Sequence, residues 1–132
     1  MANVILVADD DLYIRSIFEV ALGELGQLIE APSGDNVLAL YKKHNPDVTF
    51  MDLHLPGKNG QKAMQEILDY DESAFVVMMS ADAVSMVVQK ATNAGAKGFI
   101  IKPFVKETLL KYLRLCPTFH LTDGEATSAA RA

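Results

Sequence analysis

Short apolar runs alternate with helical periodicities five times along this chain, and that alternation restricts the fold more than any single residue does. Val4–Ala8 is a continuous apolar run suited to a strand buried on both faces. After it, Ile14, Ile17, Phe18, Ala21, Leu22 and Leu25 recur at steps of three and four, the mark of an amphipathic helix. Asp10 or Asp11 is placed to cap that helix and Gly26 to end it. Gln27–Ala31 follows as a short strand, then a helix over Asp35–His44 closed by Asn45-Pro46, a strand over Val48–Met51 and a helix over Gln61–Tyr70. Phe75–Met79 reads as the fourth strand, and Val84, Val87, Val88 and Ala91 give a helix stopped at Gly95. Gly98–Ile101 is the fifth strand, before a helix carrying Leu109, Tyr112, Leu113 and Cys116.

Five strand–helix rounds imply an α/β fold: a doubly wound, five-stranded parallel sheet with helices on both faces. Crossovers between parallel strands are right-handed, which leaves few topologies, and the flavodoxin-like strand order 2-1-3-4-5 is expected. The 132 residues suffice for one domain with a proper core. Pro117 stops the last helix and the composition then turns small and polar. The domain is therefore expected over 1–117, with 118–132 a disordered tail or linker stub.

Composition excludes several functions. A formal net charge of −5 without any Lys/Arg run disfavours direct nucleic-acid binding. Cys116 is the single cysteine, so an internal disulfide framework and a cysteine zinc site are both excluded, which suits a reducing compartment. His44, His54 and His120 are not spaced as a zinc site, and Met51, Met78 and Met79 are core strand residues. No apolar run is long enough for a signal or membrane segment, so the chain is expected to be cytoplasmic.

Asp52 carries the chemistry. It ends the run Val48-Thr-Phe-Met, where a carboxylate is costly unless a cation or hydrogen bonds stabilise it. In open α/β sheets, ligands bind beyond the carboxyl ends of the strands at the switch in strand order. Those ends carry Asp9 and Asp10, Asp52, Ser80 and Lys102. Two carboxylates at ~4 Å repel by about 4 kcal/mol at an effective dielectric of roughly 20. Lys102 offsets part of this, and a hard divalent cation such as Mg2+, which prefers oxygen ligands, would resolve the rest. Acid pair, third acid, hydroxyl and lysine together suit phosphoryl transfer to a carboxylate.

Val7-Ala-Asp-Asp10, Met51-Asp52 with Leu55-Pro-Gly57 and Gly60, Ser80-Ala81, and Gly95-Ala96 leading to Lys102-Pro-Phe104 resemble the receiver domain of two-component response regulators. The resemblance spans Asn3 to Cys116. It implies that Asp52 accepts a phosphoryl group from a sensor histidine kinase or histidine phosphotransfer protein. Asp10 would bind Mg2+ directly and Asp9 through water, with Asp52 and the backbone carbonyl of His54 completing the protein ligands. Lys102 would pair with the phosphoryl oxygens, Ser80 would hydrogen-bond to them, and Phe99 takes the aromatic switch position. The Lys102-Pro103 bond is expected to be cis. Ser80 moving toward the phosphoryl group would free space for Phe99, repacking a face read by a downstream effector protein.

His54 and Asp82 depart from a fixed pattern. They flank the expected path of hydrolytic water and would modulate phosphoryl lifetime. Lys58-Asn59 replaces the commoner apolar-Asp pair, which bears on loop dynamics. The resemblance implies a phosphoacceptor with self-dephosphorylation rather than an enzyme acting on a separate substrate. Two other readings compete. An aspartyl-phosphate phosphohydrolase of the haloacid-dehalogenase type expects an early Asp-x-Asp nucleophile motif, yet here the acid pair precedes the acceptor. A flavodoxin-like cofactor binder expects a hydroxyl- and glycine-rich first loop, and this one is acidic. Kinase, output and oligomeric state are not legible, nor whether the chain acts alone or within a longer regulator.

Overall fold

Strands form where apolar residues run without interruption, and helices where they recur on one face. The structure, a computed structural model, describes residues 3–81 and 85–121, with the side chains of 85–87 excepted. Its strands are β1 (Val4–Ala8), β2 (Gln27–Ala31), β3 (Val48–Asp52), β4 (Val76–Ser80) and β5 (Gly98–Ile101). The helices are α1 (Leu12–Leu22), α2 (Val37–His44), α3 (Gly60–Tyr70), α4 (Ser85–Asn93) and α5 (Lys106–Leu115). The strands pair in parallel in the order β2-β1-β3-β4-β5, the order expected from the sequence.

Because side chains alternate across a strand, each strand feeds two cores. Ile5, Val7, Phe50 and Met79 face α1 and α5, where Phe18, Leu22, Leu109 and Leu113 are buried. Leu6, Met51 and Met78 face the other side, against Tyr41, Met64, Ile67 and Ala91 from α2, α3 and α4. Each large side chain withdrawn from water contributes about 1.5–3 kcal/mol toward the cost of ordering the chain. Gly98 is required by packing: a Cβ there would strike the Tyr112 ring of α5.

Several boundaries move from the sequence reading. α1 ends at Leu22, and Gly26 lies in the following turn, where its lack of a side chain lets the chain pass close to Asn3. A 3-10 turn over Gly34–Asn36 precedes α2, because Ser33 caps Asp35 first. Phe75 stays outside β4, although its carbonyl accepts from the Thr49 N–H at 2.9 Å. Packing also continues past Pro117. Phe119 is buried in the α1/α5 core, and the Asn3 side chain accepts from the His120 N–H at 2.8 Å and donates to its carbonyl at 2.7 Å. An aromatic side chain and a buried amide thus tie the segment after Pro117 to the core; residues 122–132 lie outside the described residues.

Away from the carboxyl edge, the Tyr41 hydroxyl donates to Asp71 Oδ2 at 2.7 Å. That bond, with a second from Ser73, holds the Asp71 carboxyl below the usual carboxylate value. An acid with a lowered folded pKa contributes stability above its unfolded pKa and loses it as pH falls through the lower folded value. Tyr41→Phe is therefore expected to cost about 1 kcal/mol near neutrality, a deficit that narrows below roughly pH 4. Urea midpoints across pH check this. A deficit independent of pH would assign the loss to packing instead.

Candidate functional site

All five strands run the same way, so their carboxyl ends share one edge, and four of them deliver a polar group there. Asp9 follows β1, Asp52 and Ser80 are the last residues of β3 and β4, and Lys102 follows β5. One carboxylate oxygen from each of Asp9, Asp10 and Asp52 lies within 4.8 Å of the others. Asp9 is fully buried and Asp52 nearly so, whereas Asp10 is exposed.

The loop after β1 is fixed by its own acids. Asp9 extends the ladder by donating its N–H to the Ala31 carbonyl at 3.0 Å. Its Oδ1 accepts from the Asp11 N–H at 2.9 Å. Asp11 in turn caps α1 by accepting from the Tyr13 N–H at 2.9 Å, so the cap is Asp11 and not Asp10. Arg15 adds an anchor that sequence reasoning missed. Its Nη1 donates to the Asp9 carbonyl at 2.8 Å, and its Nε pairs with Glu30 at 3.2 Å. A cation one helical turn after the cap was the available signal, but its partner sits on β2, which periodicity does not reveal.

Lys102 is the internal counter-charge. Its Nζ is 2.7 Å from Asp9 Oδ2 and 3.4 Å from Asp52 Oδ2, so it bridges both acids and favours Asp9. Burial pushes the Asp9 carboxyl up, while the Lys102 and Asp11 hydrogen bonds pull it back without cancelling the rise. Burial alone would lower the Lys102 ammonium, but Asp9 and Asp52 more than offset it and hold the amine above its ordinary value. One ammonium thus bridges two of the three clustered carboxylates, and the excess negative charge sits among oxygen donors only. That donor set fits a hard divalent cation, and Mg2+ in particular. Both Asp9 oxygens already have protein donors, whereas the exposed Asp10 has none among the described residues.

The loop after β3 curls tightly over Asp52. The Leu53 N–H reaches the Met79 carbonyl at 2.8 Å, and the His54 N–H donates to Asp52 Oδ1 at 3.2 Å. Gly60 returns its N–H to the Leu53 carbonyl at 3.0 Å, and a Cβ at Gly60 would fall on the Asp52 carbonyl oxygen. Lys58 and Asn59, the departures from the commoner pattern, are both anchored. Lys58 pairs with Glu66 at 2.7 Å, and the Asn59 side chain caps α3 on the Lys62 N–H at 2.9 Å.

Ser80 is fully buried, and its carbonyl accepts from the Lys102 N–H at 2.9 Å. Strand register pairs Met78 with Phe99 and Ser80 with Ile101, which places Ser80 and Phe99 on the face toward α4. Phe99 is half-buried, and its carbonyl accepts from the Tyr112 hydroxyl at 3.3 Å. The Lys102-Pro103 bond is cis. The His54 side chain is exposed beside the site, and Asp82 lies outside the described residues.

Comparison with known proteins points one way. The response regulator receiver domain family matches residues 5–114. Protein CcdB of Bacillus subtilis is 39% identical over 109 residues, covering 81% of this chain and 91% of the relative. Chemotaxis protein CheY of Bacillus subtilis is 36% identical, covering 84% of this chain and 94% of that protein. Among solved structures, chemotaxis protein CheY4 of Vibrio cholerae superposes with a TM-score of 0.81 at 25% identity, covering 88% of this chain and 99% of that one. A CheX–CheY–BeF3–Mg2+ complex from Borrelia burgdorferi gives a TM-score of 0.78 at 26% identity, covering 86% of this chain and 87% of that one.

Proposed function

Because the chain belongs to the response regulator receiver family and is a phosphoacceptor module of two-component signalling, we propose that Asp52 is its acceptor and that Asp9, Asp10, Ser80 and Lys102 serve that residue. The observation that carries this reading is the gathering of three carboxylates at the carboxyl ends of β1 and β3, with one ammonium bridging two of them. A structural acid needs one cation; this arrangement leaves negative charge unbalanced where a phosphoryl group and its metal would sit.

An oxygen of Asp52 attacks phosphorus in line with the leaving nitrogen of a partner's phosphohistidine. The P–N bond breaks, its electron pair returns to the imidazole, and an acyl phosphate forms on Asp52. Asp10 and Asp52, with the His54 carbonyl and Asp9, would hold Mg2+, which would supply charge neutralisation for the transferring oxygens. Lys102 moves its ammonium from Asp9 toward the new phosphoryl oxygens. Ser80 hydrogen-bonds to them, and the half-buried Phe99, on the same sheet face, shifts inward to repack the surface of α4, β5 and α5. His54, exposed at the mouth, and Asp82 are the residues proposed to set how fast water removes the group.

Incubation with Mg2+ and acetyl phosphate, read by intact-mass spectrometry, tests the assignment. One added phosphoryl group is expected with Mg2+ and none after chelation. An unlabelled wild type would reject the acceptor reading.

The donor's docking face is proposed from exposure. Leu12, Tyr13 and Val20 on α1 are 68%, 72% and 88% exposed, and Tyr13 and Val20 with Ile17 and Lys106 border a groove of about 480 Å3. This apolar face starts one residue after Asp11, so a helix laid on it would present a histidine to Asp52. Val20→Asp changes nothing that is buried. It is expected to slow transfer from a phosphorylated histidine phosphotransfer domain by at least about thirtyfold, while labelling by acetyl phosphate is unchanged. Equal loss with both donors would place the defect in the site, not the docking face.

A further inference from the structure

Between α3 and α4 runs a groove of about 490 Å3 whose lining differs from the rest of this acidic chain. Lys62 projects from α3 and Lys90 from α4, and His54 stands at the end nearest Asp52. The amides of Asn59, Gln61 and Gln65 complete the polar wall, and among the described residues no carboxylate lines it. Neither lysine has a carboxylate partner among the described residues, unlike Lys58 and Lys102, whose amines are ion-paired. Two ammoniums without a carboxylate partner among the described residues, and hydrogen-bonding amides beside them, thus gather positive charge at one cleft of a chain of formal net charge −5.

We propose that this groove docks an acidic segment of a partner protein, with its carboxylates on Lys62 and Lys90 and its backbone or polar side chains against the glutamine amides. Charge complementarity selects the occupant. A nucleic acid would bring a dense run of phosphates toward the Asp9, Asp10 and Asp52 cluster at the groove's end, where like charge repels it. A short peptide with two or three carboxylates can engage the lysines and stop short of those acids. Bound there, it lies against the exposed His54 ring, at the mouth of the phosphoacceptor site. The surface is separate from the α1 face, so donor and acidic partner can bind together.

The test uses the full chain and a short fluorescein-labelled alanine-based peptide carrying glutamate pairs four residues apart, followed by anisotropy. Saturable binding that weakens with added salt is expected. Lys62→Glu with Lys90→Glu should weaken it by at least about tenfold, whereas Lys42→Glu with Lys43→Glu on α2, which changes net charge equally, should leave it nearly intact. All four lysines are solvent-facing, and circular dichroism checks that both double variants fold. No saturable binding, or equal weakening in the two variants, would overturn the proposal. Tighter capture of a single-stranded oligonucleotide by the same lysines would overturn the choice of occupant. Labelling by acetyl phosphate, run on both variants, reports separately on the acceptor reading, since neither variant touches that site.

Discussion

Asp52→Asn is expected to abolish the phosphoryl adduct formed with acetyl phosphate and Mg2+, leaving no added mass where the wild type gains one group. The neutral amide oxygen is a poor nucleophile, and the substitution also removes one of the three oxygen donors that converge within 4.8 Å. No neighbour can take over. Asp9 is fully buried with both oxygens engaged, by Lys102 at 2.7 Å and by the Asp11 N–H at 2.9 Å. Asp10 is exposed but lies on the β1 loop, not at the end of β3, where Lys102 reaches Asp52. The fold should survive, because the amide can still accept from the His54 N–H and one less negative charge eases the repulsion. An adduct persisting on the variant would move the acceptor elsewhere, and peptide mapping would locate it.

Lys102→Ala should produce the largest loss of stability among single changes at the site. The side chain is 16% exposed and neutralises a carboxylate that is 0% exposed, so its removal leaves Asp9 charged and buried without a cation. Breaking such a pair costs about 3–5 kcal/mol, and the partial exposure of Lys102 favours the lower end. The sign of the pH dependence follows from the two shifts. Asp9 is raised, so its ionisation becomes a cost as pH rises through its folded pKa; Lys102 is raised, so its contribution persists until pH passes its own folded value. The deficit should therefore be greatest between those two values and shrink on acidification, as Asp9 becomes protonated in both proteins. Added Mg2+ should recover part of it by replacing the missing charge. Urea unfolding at acidic and neutral pH, with and without Mg2+, measures this. A deficit under about 1 kcal/mol that ignores both pH and Mg2+ would mean that Lys102 is not the counter-ion of Asp9. Phosphorylation of the variant, where it occurs, should no longer change partner affinity, because the ammonium that would follow the phosphoryl group is gone.

Much of the site was legible before any coordinates because its residues stand at punctuation marks. Asp52 ends an apolar run, Asp9 and Asp10 follow one, and Lys102 follows another. What escaped is what depends on contact between elements distant in sequence. Arg15 reads as an ordinary helix cation until β2 brings Glu30 within 3.2 Å and the Asp9 carbonyl within 2.8 Å. Lys58 and Asn59 read only as departures that bear on loop dynamics; in the fold one pairs with Glu66 and the other caps α3. The packing beyond Pro117 escaped for the same reason. Proline does end the helix, but Phe119 still finds the core and Asn3 still binds His120, partners 117 residues apart.

The sequence by itself determined the five strands and their helices, the parallel order, and which residues gather at the carboxyl edge. Periodicities of two and 3.6 and the handedness of the crossovers allow little else. Tertiary structure alone decided how charge is shared at that edge: Lys102 held by Asp9 more closely than by Asp52, with Asp10 left open to solvent. It also decided that Lys62 and Lys90 face one groove. Electrostatic pairing falls off over a few ångströms, and distances on that scale between strands and helices are set by packing, not by spacing along the chain.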